Sequence, residues 1–124
     1  MQRPFRNIFF LATVIVSTAL TAISVIILAL LPSTEKLLRT LEGWWAKSIV
    51  LASGVRIDWK GASLDPAQNY VFIANHQSHL DTPIFLSLLA SWRPRFLAKE
   101  SLFRIPLFGP GMRRTGHVPI DREN

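Results

Sequence analysis

The chain has 124 residues, of which 49% are hydrophobic, and this length allows one small domain at most. It contains no cysteine, which excludes disulfides and thiolate metal sites. Fourteen basic residues against eight acidic ones give a net charge of +6, and basic residues dominate from residue 93 onward. The long uncharged run near the other end favours anionic lipid or phosphate as the partner of this basic part, so we expect no nucleic acid.

The N-terminal part predicts a membrane-anchor helix within residues 1–31. Residues 8–31 contain no charged residue, glycine or proline, and they exceed the about 20 residues needed to span a bilayer. A cleaved signal peptide is the alternative, but its apolar region is usually only about 7–15 residues long. The run also ends at Leu31 and Pro32 without a small-residue cleavage site, which favours a retained anchor.

Residues 32–54 predict an amphipathic interfacial helix. Ser33 or Thr34 is expected to cap its start, and Gly54 ends it. Its apolar side chains recur at helical spacing and form one stripe, which consists of Leu37, Leu38, Leu41, Trp44, Trp45, Ile49 and Ala52. Tryptophans beside a membrane anchor favour an interfacial position, and an ordinary core helix is the alternative.

Residues 55–124 change to a pattern of short strands and a helix. Residues 55–60 alternate apolar and charged side chains, and residues 70–74 form a continuous β-prone run that predicts a buried central strand. Residues 95–99 and 117–121 are two further strand candidates, and Pro83 fits the first turn of a helix. Short turns are predicted at Pro106, Gly109, Pro110 and Gly111. The alternation of elements predicts an α/β fold.

Two residues with catalytic chemistry follow the run at residues 70–74. His76 is a base that exchanges a proton near neutral pH, and the carboxylate of Asp81 could fix its tautomer. Residues five apart on one helix point roughly 140° from each other. The two side chains therefore meet only if His76 lies in a turn and Asp81 in the first helical turn.

Neighbours of this pair allow other interpretations. His79 could join His76 and Asp81 in a three-ligand metal site, but no further ligand is evident, and we predict no metal. Ser78 is expected to cap the following helix rather than to act as a nucleophile. His117 is expected to be structural.

Three stretches resemble motifs of the glycerolipid acyltransferases, the family that includes 1-acylglycerol-3-phosphate (lysophosphatidate) acyltransferase. Residues 75–81, Asn-His-Gln-Ser-His-Leu-Asp, are similar to the first motif, which is His, four residues and Asp, usually after Asn. Residues 98–109 are similar to the segment between the first two motifs. Residues 116–122, Gly-His-Val-Pro-Ile-Asp-Arg, resemble the second motif. The resemblance covers about residues 44–124, and the three stretches are specific through their order and spacing.

This resemblance implies a reaction and a set of partners. An acyl chain would pass from an acyl thioester to the free hydroxyl of 1-acyl-sn-glycerol 3-phosphate, giving phosphatidate, with His76 as the general base and Asp81 orienting it. Gly116, Asp121 and Arg122 would belong to the substrate site, with Arg122 on the acceptor phosphate. The co-substrate would be acyl-CoA or an acyl carrier protein thioester, with no cofactor. The partners would be membrane lipid and lysophosphatidate, and the catalytic domain would lie on the cytoplasmic side of the membrane.

Other functions stay open within and beyond this family. The acceptor could instead be glycerol 3-phosphate or a lyso-aminolipid, or the chain could be a membrane-anchored, non-catalytic lipid-binding module. The family's third motif, a Pro-Glu-Gly-Thr-Arg-like segment, does not follow Arg122. We therefore expect residues 55–124 to be the N-terminal part of an acyltransferase domain with an incomplete sheet, inactive by itself.

Overall fold

A computed structural model of the chain describes residues 3–29, 31–106 and 108–121. Within these residues, four α-helices and two short strands follow one another in the order α1 (Arg3–Ala29), α2 (Glu35–Ser53), α3 (Asp81–Leu88), β1 (Leu97–Lys99), α4 (Phe108–Arg114) and β2 (Val118–Ile120). Two 3-10 turns, Ala90–Trp92 and Glu100–Arg104, lie on either side of β1. Helix α2 occupies the centre, because it packs against both α1 and α3. The combination of helices with a small open sheet confirms the predicted α/β fold class.

Helix α1 is long and apolar enough to cross a membrane. The most apolar 18-residue window of its stretch Pro4–Leu28 has a mean hydropathy of 2.4, and only 6% of that window is buried within the protein. A signal sequence near the N-terminus meets the same two criteria, so length and composition alone do not separate it from an anchor. Where α1 meets α2, the hydroxyl of Thr18 accepts a hydrogen bond of 3.0 Å from the indole N–H of Trp45.

Helix α2 ends where the sequence predicts, at Gly54. This glycine has a φ of 68°, a left-handed conformation, and its N–H donates to the carbonyl of Leu51. Thr34 occupies the position before the helix, but its hydroxyl donates to the carbonyl of Leu28 at 3.0 Å. The predicted side-chain cap is therefore absent, because this hydroxyl instead ties the turn to the end of α1.

The buried side of α2 is narrower than the predicted apolar stripe. Its buried residues are Leu38, Ala46, Ile49 and Ala52. Trp44 precedes Ala46 by two residues, which places it about 200° around the helix, and it is 72% exposed. Leu37 is also exposed. These two side chains of the apolar stripe are therefore not part of the protein core.

The two strands predicted first along the chain do not form. Residues 55–60 and 70–74 belong to no strand, and Val71 and Ile73 are 91% and 94% exposed. A strand needs a neighbour to complete its hydrogen bonds. Within the described residues the sheet consists of β1 and β2 alone, so nothing pairs with residues 70–74. The prediction of a buried central strand there is wrong for this structure.

Strands β1 and β2 confirm the two later strand predictions in shorter form. They are parallel, with Leu97 opposite Val118 and Lys99 opposite Ile120. The connection between them contains the 3-10 turn Glu100–Arg104 and α4. A parallel pair needs such a crossover, because the chain must return to the same end of the sheet.

A glycine- and proline-rich stretch predicted as turns forms helix α4 instead. Pro110 is its third residue, where the backbone N–H would have no partner within the helix, so proline is tolerated. Gly109 and Gly111 are buried because the helix lies close to its neighbours. A Cβ atom on Gly109 would lie 2.1 Å from the carbonyl oxygen of Phe103, and one on Gly111 would lie 3.0 Å from Val25.

Candidate active site

His76 and Asp81 meet at the start of α3. His76 lies in the turn that precedes the helix, and Asp81 is the first helical residue, which is the arrangement that their spacing requires. The Nδ1 atom of His76 lies 3.0 Å from the Oδ2 atom of Asp81. The imidazole is 67% exposed, whereas the carboxylate is only 23% exposed. The imidazole of the pair is therefore accessible to solvent, whereas the carboxylate beside it is more enclosed by the protein.

The turn holds the carboxylate of Asp81 with its own backbone. The N–H groups of Gln77 and Ser78 donate to the same Oδ2 atom at 2.8 and 2.9 Å. The N–H of Ser78, then that of Gln77, lower the pKa of Asp81, and the His76 contact adds to this against the opposing effect of partial burial. Asp81 is therefore ionised at neutral pH.

An ionised Asp81 decides which ring nitrogen of His76 is protonated. A carboxylate can only accept hydrogen bonds, so Nδ1 of His76 must carry the hydrogen that points at Oδ2. The lone pair of the neutral imidazole is then on Nε2, on the side of the ring away from Asp81. This arrangement can take a proton from a bound group at Nε2 while Asp81 stabilises the resulting imidazolium.

Ser78 helps to shape the turn but does not cap α3. Its hydroxyl accepts a hydrogen bond of 3.1 Å from the N–H of Leu80, and its carbonyl accepts the N–H of Asp81. Leu80 occupies the capping position of α3, with no side-chain cap. The prediction that Ser78 caps α3 is therefore wrong. Ser78 lies two residues before the capping position, and its hydroxyl closes the turn that precedes the helix.

His79 lies apart from the pair on the exposed surface of the turn. Within residues 3–29, 31–106 and 108–121, no group of three His, Asp or Glu side chains is close enough together to hold a metal ion. The geometry thus brings together two of the three residues of the alternative metal interpretation, His76 and Asp81.

The residues of the second motif lie in another part of the chain, around β2. Gly116 has a φ of 85° in the turn before the strand, and a Cβ atom there would lie 3.0 Å from Nε of Arg95. Glycine suits both conditions, because it adopts this conformation without strain and leaves room for the guanidinium. Asp121 follows β2 and is exposed. Arg122 lies outside the described residues.

A buried histidine connects this motif to α2. The Nδ1 atom of His117 accepts the N–H of Phe96 at 3.0 Å, so its Nε2 carries the hydrogen that is donated to the carboxylate of Glu42. Its side chain is 5% exposed. His117 agrees with its expected structural role. The sequence offered no sign of Glu42, which is one of several polar residues on the helix.

The lowered pKa of Asp81 predicts how its contacts depend on pH. A carboxylate whose pKa is lower in the folded protein stabilises the fold above its ordinary value of about 4, and this contribution is lost as the pH falls through the lowered pKa. We expect Asp81→Asn to lower the unfolding temperature near neutral pH. The difference in unfolding temperature between the variant and the unmutated protein should become smaller as the pH falls. Thermal unfolding at a series of pH values measures this. A difference that does not change with pH would contradict it.

Comparisons with known proteins agree with the motifs. The family model described as acyltransferase matches residues 56–124. A chloroplastic 1-acyl-sn-glycerol-3-phosphate acyltransferase of Arabidopsis thaliana is 32% identical over 94% of this chain and 34% of its own length. The enzyme of the same name from Chlamydomonas reinhardtii is 47% identical over 46% of this chain and 17% of its own. That of Streptococcus pneumoniae is 37% identical over 46% and 22%.

The chain spans about a third or less of the length of these relatives. No solved structure gives a significant match.

Proposed function

The chain belongs to the acyltransferase family, and from this premise we propose that it acylates 1-acyl-sn-glycerol 3-phosphate to phosphatidate. The acyl donor is a thioester of coenzyme A or of acyl carrier protein, and no cofactor takes part. The relatives are named as 1-acyl-sn-glycerol-3-phosphate acyltransferases, which supports this acceptor. The observation that carries the proposal is the hydrogen bond between His76 and Asp81 in the matched region.

The proposed reaction moves one proton through His76. An alcohol is a poor nucleophile near neutral pH, so Nε2 of His76 accepts the proton of the acceptor hydroxyl as its oxygen attacks the thioester carbonyl carbon. The tetrahedral intermediate then collapses, the carbon–sulfur bond breaks, and the imidazolium returns the proton to the leaving sulfur. Asp81 stabilises the imidazolium in between. No cysteine is present, so a direct transfer is simpler than a thioester intermediate on the protein.

The acceptor is tested by competition among related lipids. The intact protein is given one labelled acyl thioester together with lysophosphatidate, glycerol 3-phosphate and a lyso-aminolipid, and the acylated products are separated. We expect the label to accumulate in phosphatidate. Preferential acylation of either other acceptor would change the proposed substrate, and the absence of all three products would overturn the proposed activity.

Arg122 is proposed to bind the phosphate of the acceptor. It follows Asp121 at the end of the second motif, and a guanidinium offers paired donors that match phosphate oxygens. We expect Arg122→Ala to weaken use of the acceptor by about 1.5–3 kcal/mol, roughly ten- to a hundredfold, and to leave the donor KM almost unchanged. Arg122→Lys should recover little, because an ammonium lacks the paired donors. A rise in the donor KM alone would assign Arg122 to the donor site.

Helix α1 is proposed to anchor the protein in the membrane, with the domain after Gly54 on the cytoplasmic side. Its length and apolar composition support a membrane position, and the acyl thioester donor that the family resemblance implies would be reached from the cytoplasm. We expect the membrane fraction to contain protein that retains residues 8–31. N-terminal sequencing after cell fractionation measures this, and a soluble product that starts after Leu31 would contradict it.

The orientation of the domain is tested with a reporter fused after Asn124. A reporter that works only outside the cytoplasm would contradict the proposed cytoplasmic side.

A further inference from the structure

A cleft of about 910 Å³ lies between the start of α2, the segment that precedes β1 and the end of α4. Six cationic side chains line it: Lys36, Arg39, Arg93, Arg95, Arg113 and Arg114. Among the described residues, Glu35 is the one carboxylate in the lining. We refer to these six residues and the space between them as the arginine cleft.

The arginine cleft is assembled from three distant stretches of the chain. Its members come from residues 36–39, 93–95 and 113–114, so the sequence shows a general excess of basic residues but not this cluster. Cationic side chains that the fold brings together in this way create a local positive potential, which attracts anions.

One of the guanidinium groups stacks on an aromatic ring. The central carbon of the Arg113 guanidinium lies 5.3 Å from the ring centre of Phe103, within the range of a cation–π contact. The side chain of Arg95 lies beside Gly116, where a Cβ atom would come within 3.0 Å of its Nε. Donors that are already positioned lose less conformational entropy on binding, and guanidinium groups match the oxygens of a phosphate ester.

The cleft lies at the end of the helix that is proposed to anchor the protein in the membrane. Thr34 lines it and donates a hydrogen bond to the carbonyl of Leu28, which is the last residue of the apolar stretch Pro4–Leu28. When α1 lies in the bilayer, its apolar stretch fills the hydrocarbon region, and the residues that follow reach the level of the lipid headgroups. This depth favours a lipid phosphate over a soluble one.

We propose that the arginine cleft binds the phosphate of an anionic membrane lipid and so holds the domain against the membrane surface. The proposal rests on the membrane position of α1 proposed above, but not on the acyl-transfer reaction. The site is separate in composition from the pair His76 and Asp81, because neither residue lines the cleft.

The test measures which lipid surrounds the protein in a bilayer. The intact protein is reconstituted in mixtures of phosphatidylcholine with brominated phosphatidylglycerol, or with brominated phosphatidylcholine, and quenching of tryptophan fluorescence gives the relative affinity for each lipid. Trp44 is a suitable reporter, because it lies on α2 and is 72% exposed. We expect phosphatidylglycerol to be preferred at least about tenfold.

Paired variants separate the cleft from general surface charge. Lys36→Gln/Arg39→Gln removes two cleft cations and should abolish most of the preference, because each cation near a membrane contributes about 1 kcal/mol, about 30-fold for two. Lys47→Gln/Arg56→Gln removes the same charge from exposed residues outside the cleft and should keep the preference. Equal losses in both variants would overturn the proposal, as would no preference in the unmutated protein.

A soluble anion is distinguished in the same experiment. Millimolar glycerol 3-phosphate should leave the preference for phosphatidylglycerol unchanged, and its displacement of the lipid would show that the cleft binds a soluble phosphate ester instead. Because no acyl donor is present, the result does not depend on whether the protein catalyses acyl transfer.

Discussion

Replacing His76 with alanine is expected to slow phosphatidate formation by the intact protein by ~10²–10⁴-fold, the usual contribution of a positioned general base. Asp81 holds the Nδ1–H of His76, so alanine removes the only imidazole that the turn orients in this way among the described residues. The loss should appear in kcat more than in the acceptor KM, because the proton is transferred in the transition state. Rates under saturating thioester, with and without the substitution, measure it.

His79→Ala is the matched control for this substitution. It removes the same side chain from the same turn, three residues away, where the imidazole is exposed. We expect it to keep most of the activity. If both variants lose activity equally and the purified protein contains metal, the metal interpretation would replace the general base. Similar unfolding temperatures for the two variants would show that neither effect comes from misfolding.

Replacing Gly109 with alanine is expected to destabilise the protein by about 1–3 kcal/mol or more, although it adds a single methyl group. The new Cβ atom would lie 2.1 Å from the carbonyl oxygen of Phe103, which is backbone and cannot turn aside. Helix α4 would have to move away from the turn Glu100–Arg104. Thermal unfolding in detergent measures the change.

Gly43→Ala provides the opposite case in the same protein. Gly43 lies within α2, and a Cβ atom there would meet no other atom within 4 Å. Alanine in a helix interior is favoured over glycine by about 0.5–1 kcal/mol, so this variant should be slightly more stable. If Gly109→Ala were as stable as Gly43→Ala, the close packing of α4 would be wrong.

The sequence predicted correctly those elements that depend only on residues close together in the chain. Helix α2 could be recognised because its apolar periodicity and the glycine at its end are properties of consecutive residues. The position of His76 relative to Asp81 was also predictable, since both lie within one turn and its helix. The two strands β1 and β2 were found for the same reason, as short β-prone runs.

Features that depend on distant residues could not be read from the sequence. A β-prone run such as residues 70–74 becomes a strand only beside another strand, and none lies there among the described residues. Glycines within α4 indicate turns in the sequence, but in the structure they permit close packing against Phe103 and Val25. Glu42 and His117 are 75 residues apart, and nothing local to either predicts their contact.

The measurement that tests the central claim most directly follows one acyl group from donor to product. The intact protein in lipid vesicles is given a thioester with a labelled acyl chain and lysophosphatidate, and the released thiol is measured together with labelled phosphatidate. Direct transfer with His76 as the base predicts one phosphatidate per thiol, no thiol release without acceptor, and formation of both products ~10²–10⁴-fold slower with His76→Ala. Thiol release that continues without lysophosphatidate, with the label recovered as free fatty acid, would contradict it.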